Sequence, residues 1–393
     1  MNTTLRSPAA IDLATRARTV AALARKHADA VDAESRFPSE AVAALKAERL
    51  LSVIIPVELG GEGRSLAEIA EVCAVLGQAC SSTAMIYAMH MIKLSSCVQH
   101  GQGHEWHREL MRRITTDQLL IASSTTESGS GDLRTSQCAV VREGEDFRLE
   151  KDATCISYAE YCDLILVTAR SGPDAPPSDQ VLAAVEKGQY TLEHTTGWDT
   201  LGMRGTRSEG WILNVVAPVE QIFPLPFADI AAQSMLAHCH LLWASLWYGV
   251  TSEAFARAQG FVKAAARKTP NTPLPAALRL AEMSVLLQQM RAVIVDGVAR
   301  HETASRSEEG LGAISYLVVM NNVKVAAAQL MIQSLDHAML ICGLAGYSVR
   351  SPFSIARLLR DGHSARVMVS NDRILSNTSS LLLMAKPDDL LLG

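Results

Sequence analysis

Residues 121–170, IASSTTESGSGDLRTSQCAVVREGEDFRLEKDATCISYAEYCDLILVTAR, constrain this chain most, because strand and turn signals alternate there within an otherwise helical sequence. An apolar run from Ile121 ends at Thr125, Thr126 and Glu127, and a turn of small residues, Ser128 to Asp132, follows. Gly144–Asp146 reads as a hairpin tip between Val140-Val141 and Phe147–Leu149. Thr154-Cys155-Ile156-Ser157 comes next, and Leu164-Ile165-Leu166-Val167 reads as a buried strand. Glycines in the small-residue turn let backbone N–H groups approach an anion closely, since they tolerate positive φ and carry no Cβ. Thr126 and Ser130 add hydroxyls there. The plain alternative is a polar turn between two strands.

The flanks are helical. Ala17, Val20, Ala21, Leu23 and Ala24 sit among basic positions as an amphipathic first helix would, and we prefer that reading to an Arg-rich transit peptide. Pro38 opens a helix placing Val42, Leu45 and Leu50 on one face. Gly60-Gly61-Glu62-Gly63 makes a corner, and two helices follow over Leu66–Gln78 and Thr83–His100, the second capped by Gly101. After 225, Leu274, Leu278, Ala281, Val285, Ala292 and Val295 recur at helical spacing, and Val323–Cys342 forms another apolar helix stopped by Gly343 and Gly346. A length of 393 residues calls for two or three packed units. The net charge of -5 gives no case for nucleic acid or an anionic membrane, and no window looks apolar for long enough to span a bilayer. Eight scattered cysteines, without CxxC or Cys/His ligand spacing, point to reduced thiols, no metal and a cytoplasmic setting.

The order TTESGSGD, hairpin, TCIS, apolar strand resembles the flavin-binding β-domain of the acyl-CoA dehydrogenase superfamily, whose pattern runs TEPxAGSD, hairpin, KxxITN, strand. Ile55-Pro56-Val57-Glu58-Leu59-Gly60-Gly61 resembles its IPxExGG corner, Leu201–Thr206 its LGxRGS turn, and Cys342–Tyr347 with Arg357–Asp361 its GGxGY and RLLRD runs. The resemblance implies an α+β fold: a helical N-terminal domain (1–120), a β-barrel-like middle domain (121–225) and a C-terminal four-helix bundle (226–393). It also makes Gln180–Lys187 a strand, where propensity alone reads helix. The cofactor implied is FAD, with FMN or reduced flavin as a co-substrate in some relatives. Thr126 and Ser130 then meet the flavin, Ser157 stands where a hydroxyl donates to N5, and Cys155 where an aromatic residue covers the ring. Arg267 and Gly343 fall where the family contacts the cofactor diphosphate, Gly343 from a neighbouring subunit. The RxQFG segment is absent, and Leu344 replaces a glycine.

The catalytic acid is missing. The family's Glu, about eight residues beyond the RD pair, would fall at Val369 or Ser370, and a subgroup's alternative on the first bundle helix falls in Ser234–His240, which has no acid. Asp372, His238 and His240 are the substitutes in sequence, with His90 as a further cavity-facing imidazole. Against them stand ordinary readings: a helix cap for Asp372 and satisfied core histidines for the others. The resemblance implies an enzyme oxidising an acyl-CoA at Cα–Cβ and passing electrons to an electron-transferring flavoprotein. The alternatives are a flavin-dependent monooxygenase or oxidase of the same fold, and a catalytically silent acyl-thioester-binding flavoprotein. Excess apolar surface on the helices from Leu274 and Val323 implies a homodimer or homotetramer.

Overall fold

The computed structural model describes residues 12–129, 133–268 and 274–385, apart from the side chains of 308 and 309. The helix α1 (Leu13–Ala33) buries Ala17, Val20, Ala21, Ala24 and Ala28, the stripe its spacing dictates. The helix α2 (Ser39–Ala47) follows Pro38 and stops before Arg49, whose φ of 52° is left-handed. Leu50 therefore opens a separate 3-10 turn instead of sharing a face with Val42 and Leu45. A capping box between Ser65 and Glu68 starts α3 (Leu66–Gly77). The helix α4 (Ser81–His100) is buried along most of its length. Gly101 ends α4 with an ordinary right-handed φ of -96°, not as a left-handed cap. Glycine fits there for room: a Cβ would lie 2.6 Å from the Cys97 carbonyl oxygen. The amphipathic α5 (Glu105–Asp117) completes the first part.

Seven strands form two sheets among the described residues. One has order β1 (Ile121–Ser124), β4 (Leu164–Arg170), β5 (Gln180–Glu186), with β1 parallel to β4 and β5 antiparallel to it. The other is antiparallel, in the order β2 (Val141–Glu143), β3 (Asp146–Ser157), β7 (Ser208–Pro218), β6 (Tyr190–Thr196). Phe147, Leu149, Lys151 and Ala153 alternate inward along β3. The Lys151 ammonium crosses to β4 and donates to the Thr168 carbonyl at 2.6 Å, tying the sheets together. The segment over Gln180–Glu186 is a strand despite its helical propensity, because β4 pairs with it over its whole length and buries it.

The chain returns to helix through α6 (Phe227–Ile230) and a π turn at Ala231–Met235, which leads into α7 (Leu236–Lys268). The bundle continues with α8 (Pro275–Ala304), the short α9 (Glu308–Gly312), α10 (Ile314–Tyr347), α11 (Ala356–Val367) and α12 (Asn371–Leu382). The apolar face read from sequence on α8 points outward: Leu278, Val285 and Val295 are 69%, 57% and 58% exposed. Met283, Met290, Ile294 and Gly297 form its buried face instead. Contrary to the sequence expectation, α10 is long and apolar enough to cross a membrane, yet 56% of that window is buried within the chain.

Two glycines join the first part to the bundle. A Cβ on Gly77 would lie 2.3 Å from the Leu246 carbonyl oxygen, and one on Gly249 only 2.1 Å from that of Ala74. The α3 and α7 backbones therefore touch directly. The RLLRD run closes the structure from the other side: Arg357 pairs with Asp29 at 3.0 Å and Arg360 with Asp32, both on α1. Asp361 accepts the Met203 N–H at 2.7 Å, and burial pushes its carboxyl up against the opposing pull of Arg357.

Candidate functional site

Thr126, Cys155 and Ser157 come together where β1 ends beside β3. The register of β3 on β7 slips between Ala153 and Ile156, so Cys155 lies in a β-bulge, a device that re-aims a side chain. Thr126 Oγ1 donates to the Cys155 carbonyl at 3.1 Å. Glu127, buried behind them, accepts from Ser136 Oγ and from the Gln137 and Cys138 N–H groups, holding the loop that returns to β2. Tyr158, with a φ of 44°, anchors the end of β3 by donating to the Ile121 carbonyl at 2.9 Å. Ser130 lies outside the described residues.

The hydroxyl network has a direction. The Met203 carbonyl can only accept, so Thr206 gives its proton to it at 2.9 Å. Thr206 then accepts from Ser208 at 2.9 Å, and Ser208 from Ser157 at 2.7 Å. The Ser157 proton is thus committed inside the protein. This corrects the donor expected from sequence: toward a ligand, Ser157 and Thr126 both offer lone pairs.

At the far end of the bundle, Gly343 takes a φ of 53° within α10, and a Cβ there would meet nothing within 4 Å. Gly129 is equally bare at a φ of 74°. Both are places where backbone can meet an anion without a side chain in the way. Arg267 is exposed in the last turn of α7. Two half-buried hydroxyls, a thiol and these open backbone segments are compatible with a flavin.

The α11–α12 junction carries no acid at the expected positions. Val369 adopts a φ of 48°, and Ser370 precedes α12. The junction is held instead by Lys324 on α10, whose ammonium is fully buried. It donates to the Ala365 carbonyl at 2.9 Å, the Val369 carbonyl at 2.6 Å and Asn371 Oδ1 at 2.6 Å, and burial pushes it down to about 8. Asp372 is exposed in the first turn of α12, where its charge suits the helix dipole.

The histidines divide. His90 is saturated: Nε2 donates to the Leu51 carbonyl at 2.6 Å, and Nδ1 accepts the Ile121 N–H at 3.0 Å. It is a neutral core strut, not the cavity-facing group read from sequence. His240 is buried with Nδ1 on the Met320 carbonyl at 3.0 Å. His238 bonds the Ser234 carbonyl through Nδ1 and lines a cavity. Burial pushes His238 down to about 3, and His90 and His240 to about 4.

Two lysines escaped the sequence reading. Besides Lys324, Lys93 on α4 is buried against the π turn that leads into α7, with Nζ 2.9 Å from Met235 Sδ. Burial pushes it down to about 8 and the neighbouring Cys239 thiol up to about 12. Its one sequence signal is a single cation in the small and apolar run from Ala84 to Cys97, interrupted otherwise by His90.

Comparisons with known proteins fit this architecture. Residues 11–116 match the acyl-CoA dehydrogenase N-terminal domain. Cyclohex-1-ene-1-carbonyl-CoA dehydrogenase of Geobacter metallireducens is 28% identical over 195 residues, 49% of this chain and 51% of that protein. The alignment thus spans about half the length of that relative. The Syntrophus aciditrophicus enzyme of the same name is 22% identical over 351 residues, 88% of this chain and 82% of its own. Among solved structures, FMN-bound TdsC from Paenibacillus sp. A11-2 superposes with a TM-score of 0.84 at 16% identity, covering 97% of this chain and 100% of that one. Butyryl-CoA dehydrogenase from Megasphaera elsdenii gives 0.78 at 18% identity, covering 96% and 100%. Residues 11–116 thus carry an acyl-CoA dehydrogenase N-terminal domain, and the order of helices, sheets and bundle is the acyl-CoA dehydrogenase-like fold.

Proposed function

We propose that the protein is a flavin-dependent oxidoreductase that works without a carboxylate base, acting as a monooxygenase or oxidase on a non-thioester substrate. The α11–α12 junction carries this reading. Abstraction of a thioester α-proton needs a base within hydrogen-bond reach. Val369, Ser370 and the Lys324 clamp occupy that junction, and the neighbouring carboxylate, Asp372, faces solvent. Thr126, Cys155 and Ser157 would hold the flavin ring, with Gly129, Gly343 and Arg267 toward its phosphates. Bound FAD or FMN, or reduced flavin taken up as a co-substrate, would supply the redox chemistry. Lone pairs at Thr126 and Ser157 suit an N–H on the ring, and so favour retention of the reduced form. Another solved structure of TdsC bears the description dibenzothiophene monooxygenase, which supports the same reading. The outward apolar face of α8 suits a second copy, as a homodimer or homotetramer would supply.

The second reading is an acyl-CoA dehydrogenase that delivers electrons to an electron-transferring flavoprotein. The two dehydrogenase relatives favour it. Anaerobic mixing of flavin-loaded protein with a series of acyl-CoAs separates the two. We expect no bleaching of the flavin, and oxygen uptake when reduced flavin is added in air. Bleaching by any acyl-CoA would establish the dehydrogenase instead.

Ser157→Ala tests the placement of the ring. Loss of one hydrogen-bonding group, worth about 0.5–1.5 kcal/mol, should weaken flavin binding several-fold and leave the fold intact. An insoluble Ser157→Ala protein beside a normal Thr126→Ala one would mark Ser157 as purely structural.

A further inference from the structure

A cavity of about 290 Å3 opens between α3, α4, α7 and α8, and Thr126, Cys155 and Ser157 take no part in its lining. Ile69, Met91 and Leu242 give it an apolar wall. His238 and His301 both face it, their ring centroids 5.0 Å apart and their planes nearly perpendicular.

The hydrogen bonds fix what the rings offer. A carbonyl only accepts, so the bond to Ser234 puts the hydrogen of His238 on Nδ1. Nε2 is left as a lone-pair acceptor with no protein partner among the described residues. The Tyr316 hydroxyl, 2.6 Å from His301 Nδ1, holds the second ring in place. Both rings are neutral, since burial disfavours the imidazolium form of each. Arg64, the one cation at the cavity, is engaged by Glu62 and Glu68, and Glu302 stands exposed at the entrance. The lining therefore has no spare positive charge for an anion. Its apolar wall carries the unpartnered His238 acceptor, with the Ser95 hydroxyl, already donating to the Ile92 carbonyl, and the His301 ring beside it.

We propose that this cavity is a binding site for a small neutral molecule with an apolar ring and a single hydroxyl or N–H, which donates to His238 Nε2. A dry cavity of about 150 Å3 already accepts benzene, so this volume takes a substituted ring. A ligand without a donor leaves His238 unpaired, and a carboxylate would set its charge against the same lone pair. The site is independent of flavin, so its failure and that of the flavin reading are separable.

Isothermal titration of the full chain, with and without added flavin, would use phenol, benzene and benzoate as probes. Phenol should bind once per chain, benzene on the order of tenfold more weakly, and benzoate not at all. His238→Leu should bring phenol down to the level of benzene. Where that variant fails to fold, ring-nitrogen NMR of wild-type protein carrying 15N-histidine gives the same answer: phenol should shift the Nε2 resonance of one neutral histidine. Absence of phenol binding, equal affinity for phenol and benzene, or unmoved histidine nitrogens would overturn the assignment.

Discussion

Lys324→Met is expected to destabilise the protein by about 3 kcal/mol, a loss readable as a lower midpoint in urea or thermal unfolding. The substitution conserves shape along most of the chain and removes a buried charge, which by itself is favourable. It also strands the Ala365 and Val369 carbonyls and the Asn371 amide oxygen, all of which Lys324 satisfies now. An unsatisfied buried acceptor costs roughly 1–3 kcal/mol, so three of them outweigh the relief of desolvation. Hydrogen exchange should rise first at the start of α12, because Lys324 is what holds that turn to α10. A variant as stable as wild type would mean that these acceptors find other partners without cost.

Acid should unfold the protein in a window set by histidines and not by carboxylates. His90, His107 and His240 are pushed by burial to about 4, and His238 to about 3, from an ordinary value of 6.5. Between pH 6.5 and 4 the unfolded chain therefore binds protons that the folded one refuses. Stability present above pH 6.5 is lost as pH falls, by up to roughly 1.4 kcal/mol per unit for each ring. Four such rings exhaust an ordinary folding free energy within a few units, so we expect an unfolding midpoint near about pH 5. The carboxylates with lowered values, Glu40 at about 2 among them, give up their contribution only below 4.5. Circular dichroism across pH 8 to about 3.5 measures this. A flat signal down to pH 4.5 would show that these rings take up protons in the folded state.

Much of the fold could be read from local pattern and motif order, and the misses have physical causes. Ala17, Val20, Ala21 and Ala24 gave the inner face of α1 because one-sided burial leaves a helical period. The period failed on α8, which carries apolar residues on two sides: Leu278, Val285 and Val295 outside, Met283, Met290 and Ile294 inside. Spacing finds a stripe and says nothing about what covers it. The strand β6 (YTLEHTT) is largely exposed, so little apolar alternation marked it. Motif order picked out Thr126, Cys155 and Ser157, which the fold brings together, but could not orient their protons. The direction at Ser157 is decided by Ser208 and Met203, far along the chain. His90 looked like a ligand-facing imidazole because its two partners, Leu51 and Ile121, belong to different elements. Lys93 and Lys324 stayed hidden because a lone lysine in an apolar helix ordinarily reaches out to water.

The contact of α3 with α7 at Gly77 and Gly249 limits how this protein can change shape. Neither helix can slide or roll by one residue without driving a side chain into a carbonyl of the other. The opening segments and the bundle are therefore riveted into one frame, and hinge closure across that seam is not available. A guest beside His238 meets α3 and α7 at a fixed spacing and enters past the exposed Glu302 and Ser305. Girth there adds to the demand for a donor toward His238. New guests would be admitted by trimming Met91 or Leu242, while any larger motion in the catalytic cycle has to be found in the loops around the strands.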